Sequence, residues 1–134
     1  MISTDPSLLD LELVHRWLST DAYWALGRSR DVVERAVAGS ESFGAYDGDR
    51  LVGYARVVSD RATFAWLCDV YVDAEHRGRG VGLALVEAVH DQLARWGVKR
   101  AMLATRDAHG VYARFGFEPI DGSGLYMTRG YEVH

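Results

Sequence analysis

Arg77-Gly78-Arg79-Gly80-Val81-Gly82 gathers two guanidinium groups and three glycines into six residues. Ahead of it, Val70 and Val72 alternate with Asp69, Tyr71 and Asp73, the period of a strand. Behind it, Val81, Leu85, Val89, Leu93 and Trp96 mark one face of an amphipathic helix, and Gly97 is placed to cap its end. A helix start carries amide N–H groups with no partner inside the helix, and the peptide dipoles add partial positive charge there. Glycine lets an anion approach the backbone closely, and the arginines add formal charge. Such a turn suits a phosphate or pyrophosphate. The plainer alternative is a tight strand-to-helix turn with solvated arginines. A dinucleotide fingerprint would need a small residue at position 83 or 85, and both are leucine. A Walker A loop would need Gly-Lys-Ser or Gly-Lys-Thr, which is absent.

The pattern R-x-x-G-x-G from Arg77 to Gly82 resembles the pyrophosphate loop of the GNAT superfamily, the acyl-CoA-dependent N-acyltransferases. Downstream, Tyr112-Ala113-Arg114-Phe115-Gly116-Phe117 is similar to the Y-x-x-x-G-F segment of that family. The likeness runs in detail over about residues 42–120 and loosely over the whole chain. It implies transfer of an acetyl group from acetyl-CoA to the primary amine of a small molecule or peptide. Pantetheine would pair with backbone of Val70, Tyr71 and Val72. The pyrophosphate would sit on Arg77, Gly78, Arg79, Gly80, Val81, Gly82 and Leu83.

Tyr112 stands where the family usually has a tyrosine acid. A thiol has a pKa of about 8.5 and a tyrosine about 10, so a tyrosine is protonated at neutral pH and can reprotonate a leaving thiolate. An amine acceptor is mostly ammonium at that pH, so something must take its proton. Asp69, the carboxylate in mid-strand, is the candidate base, and a merely hydrogen-bonded or solvent-facing Asp is an equal alternative. Cys68 lacks a histidine partner and reads as a buried, inert thiol. Thr105 stands where the family often has an Asn that helps hold CoA, and Ala74 where it often has a Pro. His109 reads as a surface histidine. Tyr23, Trp24, Phe64, Trp66 and Tyr126 are expected to line the acceptor side. A catalytically silent CoA-binding sensor or partner-binding module is the second reading. An unrelated phosphate-binding α/β domain is a third, disfavoured by the missing motifs.

These residues need particular elements to hold them. Asp5-Pro6 starts a helix expected over 6–19, with Leu8, Leu11, Val14 and Leu18 as its stripe. A loop follows at 20–30, then a short helix at 31–38 capped by Ser29 or Asp31. Strands are expected at 42–47 and 50–59 around Asp47-Gly48, then at 63–73. The long helix spans 80–96 and a strand 99–106. Strand, helix and strand form a right-handed βαβ unit, so 63–73 and 99–106 should run parallel. A short helix at 108–115 and strands at 118–120 and 125–128, around Asp121-Gly122-Ser123-Gly124, complete the order, with a short strand at 2–4. The fold class is α/β of the α+β type. The resemblance adds a mixed central sheet with a splayed pair of parallel strands and helices on both faces.

With 134 residues, 49% hydrophobic and 25% charged, the chain is sized for one domain over 1–134 with an ordinary core. No apolar run approaches the roughly 20 residues that span a bilayer, and the first ten lack the features of a signal peptide, so a cytoplasmic protein with no membrane partner is expected. A single cysteine fits a reducing compartment. The net charge of −4 argues against nucleic acid. The histidines at 15, 76, 90, 109 and 134 show no metal-ligand spacing with Cys68, so no metal is expected. Similar proteins are commonly homodimers.

Overall fold

The computed structural model describes residues 1–122 and 124–131. Strand β1 is Ile2–Ser3, and helices α1 (Leu11–Thr20) and α2 (Arg30–Ala38) follow. Next come β2 (Glu41–Asp47), β3 (Arg50–Ser59) and β4 (Phe64–Val72). Helix α3 (Val81–Trp96) leads to β5 (Arg100–Ala104), and α4 (His109–Ala113) precedes β6 (Glu118–Pro119) and β7 (Tyr126–Gly130). The strands form one sheet in the order β1-β2-β3-β4-β5-β7-β6. Every pairing is antiparallel except β4 with β5. The expected βαβ unit and mixed sheet are both present. Among the described residues no helix is long and apolar enough to cross a membrane.

One expected helix is two elements. Asp5 caps a short 3-10 turn over Pro6–Leu8 by accepting from the Ser7 amide, and Leu9 then takes extended backbone. Asp10 opens α1 by accepting from the Leu13 amide. The chain thus contains two Asx caps five residues apart, and each starts its own turn. Ser29, not Asp31, caps α2. Gly97, at φ 70°, ends α3 as expected. Of the expected turn at 121–124, Ser123 lies outside the described residues, as does His134.

The sheet carries a core on each face. Leu85, Val86, Val89 and Leu93 of α3 pack with Phe43, Val57, Leu67 and Leu103 on one side. Val14, Trp17 and Leu18 of α1 and Val33 of α2 pack with Tyr54 and Tyr71 on the other. Gly53 allows the start of α3 to lie against the sheet: a Cβ there would come 2.9 Å from Val81 Cγ1 and 3.0 Å from Leu85 Cδ1. The phosphate-loop end of α3 is therefore held on β3 by the lack of a side chain.

A bulge in β4 decides what each residue of that strand does. Against β3 the register runs Tyr54 with Tyr71, then Arg56 with Cys68, so β4 has one residue too many between them. Below the bulge, Ala65 and Leu67 face α3. Above it, Val70 and Val72 take that face and Tyr71 turns into the core under α1. Asp69 sits at the change of parity with φ 52°, a left-handed conformation that Asp tolerates better than most residues.

Candidate active site

The parallel ladder between β4 and β5 runs only from Phe64 opposite Arg100 to Leu67 opposite Leu103. Beyond it the strands part, and a cavity of about 570 Å³ opens between them. Its walls are residues 66–70 of β4, Ala104 at the end of β5 and residues 105–108 after it, Tyr112 of α4, Leu125, Arg56, and Tyr23, Trp24 and Arg28 from the α1–α2 segment. The Asp73 amide donates to the Val52 carbonyl at 2.9 Å. Strand alternation then turns the backbone groups of Tyr71 towards β3 and those of Val70 and Val72 towards the opening. Of the three expected backbone partners, Val70 and the Val72 amide face away from β3 with no partner among the described residues, the Val72 carbonyl accepts from Arg77 Nε, and Tyr71 is paired with β3.

The glycine-arginine turn follows the parting end of β4 in the chain and lies outside the cavity lining. Gly78 and Gly80 both take positive φ, 77° and 82°, and Gly80 is the N-cap of α3 without a side-chain hydrogen bond. Among the described residues, the amides of residues 78–83 donate to no protein acceptor. Several donors and the positive end of a 16-residue helix are thus aimed outward together. Arg77 is placed differently from the expectation. Its Nε donates to the Val72 carbonyl at 3.0 Å, its Nη2 donates to Asp21 Oδ2 at 3.0 Å, and its guanidinium lies 5.2 Å from the Tyr71 ring centre. The Tyr71 hydroxyl donates to the same Asp21 oxygen at 2.6 Å. Arg77 therefore fastens the turn to β4 and α1, while Arg79 makes no such contact.

Tyr112 is buried, and its hydroxyl has no protein partner among the described residues. Burial, with Asp107 and Tyr23 adding negative potential across the cavity, pushes its pKa up to about 12. Thr105 is buried too. Its amide donates to the Leu125 carbonyl at 2.8 Å and its Oγ1 accepts from the Ala108 amide at 3.1 Å, so it shapes the turn into α4. Cys68 borders the cavity, with burial raising its thiol to about 11. His109 pairs with the Gly124 carbonyl through Nε2 and holds Gly124 against α4.

Asp69 lies in the cavity wall with both carboxylate oxygens engaged. Oδ1 accepts from Trp24 Nε1 at 2.9 Å, and Oδ2 accepts from Arg28 Nη1 and from Arg56 Nε, each at 2.8 Å. Burial by itself would raise its pKa. The Arg56 charge, and the hydrogen bonds from Arg56 and Arg28, outweigh that and hold the carboxylate below its usual range. Asp69 stays ionised and occupied at neutral pH, an arrangement that fits the hydrogen-bonded one of the two alternatives and ties the α1–α2 segment to β4.

The sequence from residue 11 to residue 117 matches the family model of the acetyltransferase (GNAT) family. The chain belongs to this family. A Xanthomonas campestris protein assigned to the GNAT acetyltransferases has a solved structure that superposes with a TM-score of 0.83 at 52% identity, covering 89% of this chain and 84% of the other. A Gibberella zeae protein with an acetyltransferase name is 29% identical over 134 residues, 85% of this chain and 76% of its own. An aminoglycoside 6'-N-acetyltransferase solved with coenzyme A shares the fold with a TM-score of 0.80 at 16% identity, over 97% of this chain and 96% of the other.

Within this GNAT domain the residues expected on the acceptor side divide. Tyr23, Trp24 and Trp66 line the cavity. Phe64 lies at the closed end of the β4–β5 ladder and is 40% exposed; Tyr126 is 42% exposed and packs its ring on Trp66 from outside. Sequence reasoning missed Arg28, Arg56 and Arg106. Arg56 had a readable signal: a lone cation inside the apolar run Leu51–Val58, with Asp69 the lone anion inside the next strand. Arg28 had none, because its partner is set by the path of the α1–α2 segment.

Proposed function

We propose that this GNAT protein transfers an acetyl group from acetyl-CoA to a primary amine by direct attack, with Tyr112 as the general acid. The observation that carries the reading is the edge of β4 where it parts from β5, with the Val70 backbone and the Val72 amide turned from β3, together with helix-start amides and a Tyr112 hydroxyl that have no protein partner among the described residues. An extended amide such as pantetheine can add to such an edge as a short strand does. Its diphosphate then meets the amides of residues 78–83, and its thioester end reaches the part of the cavity that Tyr112 borders. A strand N–H pointing into the opening can polarise the thioester carbonyl as negative charge develops on oxygen.

In the reaction the amine nitrogen bonds to the thioester carbon and the carbon–sulfur bond breaks. The sulfur takes a proton from the Tyr112 hydroxyl, and the proton lost by nitrogen leaves to solvent and returns the tyrosine to its neutral form. The CoA complex of the aminoglycoside acetyltransferase supports a CoA-linked donor. A second reading, a CoA-binding module without turnover, draws on the engagement of Asp69 by two arginines, which removes the expected base. The reading places the protein in the cytoplasm, where acetyl-CoA is available.

The test is to follow thiol release from acetyl-CoA with a panel of amines, for the native chain and for Tyr112→Phe, alongside CoA affinity. Turnover that collapses in the variant while CoA affinity holds supports the transferase reading. Firm CoA binding without turnover on any amine supports the second, and an inability to bind CoA overturns both.

A further inference from the structure

The corner of the cavity around Asp69 holds more positive charge than negative. Two guanidiniums, Arg28 and Arg56, converge on one carboxylate oxygen. Their side chains are 21% and 14% exposed, and Asp69 is 2% exposed. One buried carboxylate cannot neutralise both, so a unit of positive charge remains in a wall with little access to water, where it is costly unless an anion meets it. The donors tell the same story. Arg56 spends Nε on Asp69 and Nη1 on Ser40 Oγ at 2.9 Å, and its Nη2 has no partner among the described residues. Among the described residues Arg28 spends only Nη1 and keeps Nε and Nη2. A guanidinium with free forked donors is shaped for a planar carboxylate. Across the whole lining there are the three arginines 28, 56 and 106 against Asp69 and Asp107. Arg106 lies 4.5 Å over the Tyr23 ring.

Resting on the transferase reading above, we propose that the acceptor is a small amino carboxylate, whose carboxylate binds the free donors of Arg28 and Arg56 while its amine faces the thioester. A polycationic acceptor such as an aminoglycoside would meet arginines where it needs carboxylates. The volume of about 570 Å³, shared with the acyl end of the donor, leaves room for an amino acid and not for a folded protein surface. Trp24 is fixed by its bond to Asp69, and with Trp66 it gives the acceptor an apolar wall beside the charged corner. Arg28 and Arg56 are binding residues in this scheme and transfer no proton.

Paired probes test it: L-phenylalanine against L-phenylalaninamide, with 2-phenylethylamine as a third member lacking the group altogether. The amide has the more easily deprotonated amine, so chemistry alone favours it. The expected result is kcat/KM at least tenfold higher for the carboxylate. In Arg28→Gln the ratio should fall below threefold through KM, with CoA affinity close to native. Arg28→Lys should restore part of the preference. The same preference is read without turnover by titrating each probe into the CoA-loaded protein and following Trp24 and Trp66 fluorescence. Equal or better use of the amide and the plain amine overturns the carboxylate site and leaves the transferase reading standing. Absence of any preference in the fluorescence titration overturns it as well. Loss of CoA binding in the native chain would instead sink the transferase reading, a separate result.

Discussion

At the scale of single residues, Tyr112 and Asp69 have opposite burdens. In the proposed reaction Tyr112 would be a neutral acid kept neutral: with its pKa pushed up to about 12, it stays protonated through the whole range in which amines become nucleophilic. Tyr112→Phe should lower kcat by about 10² to 10⁴, the usual worth of a positioned proton donor, with CoA affinity unchanged. In the native chain the rate should show no alkaline fall due to this group below about pH 11, one pH unit under its value. A fall near pH 9 would assign the acid elsewhere. Asp69 is an anion kept charged. Asp69→Asn preserves shape and tolerates φ 52°, but strands two guanidiniums, and a cost of about 3–5 kcal/mol in urea unfolding is expected. The sign with pH follows from a folded value below that of the unfolded chain. The contribution is complete above about pH 5, a unit above the value of an unfolded Asp, and is lost as pH falls through the folded value.

At the scale of elements, the site depends on how closely α3 lies on the sheet and how its first turn is bent. Gly53→Ala would push a methyl into Val81 and Leu85, and overpacking of this kind costs about 1–3 kcal/mol. Because those two side chains carry the start of α3, CoA should also bind several-fold more weakly, measured by calorimetry beside urea melts. Gly80→Ala isolates the turn. No atom lies within 4 Å of the added methyl, so the cost is only that of φ 82°, about 1–2 kcal/mol. Relief of that strain by flattening the turn would re-aim the amides, and CoA affinity should fall more than stability. Most helices and strands were legible in the chain because their periods are local: the α3 stripe, the Gly97 cap and the βαβ order all follow from near neighbours, whereas the second start at Asp10 was not read. The bulge was not. Val70 and Val72 read as strand residues in either register, and only pairing with β3 shows that parity changes at Asp69. That one inserted residue turns the carboxylate from a free base into the partner of Arg28 and Arg56, which is why its role could not be read from its position.

At the scale of the whole molecule, one carboxylate joins the two halves of the site. Asp21 follows α1, whose segment covers the acceptor side, and its Oδ2 receives both Tyr71 of β4 and Arg77 of the phosphate turn. The hydrogen bond from Tyr71 and then that from Arg77 keep Asp21 below the usual carboxylate range. Arg77 gives Nε to Val72 and one Nη2 N–H to Asp21, so a diphosphate that drew the guanidinium to itself would have to break the Asp21 contact. If CoA binds through Arg77 in that way, it competes with the contact that ties the turn to α1. Asp21→Asn weakens that tie without touching the loop amides, so it should tighten CoA by a few-fold. Arg77→Ala removes the competitor and the ligand contact together, so it should weaken CoA. In the double variant the Asp21 substitution should have no effect on CoA affinity, because there is no longer an arginine to release. A calorimetric double-mutant cycle reads the coupling directly. If Asp21→Asn weakens CoA equally with and without Arg77, the carboxylate acts only by shaping α1, and the two halves of the site are energetically separate.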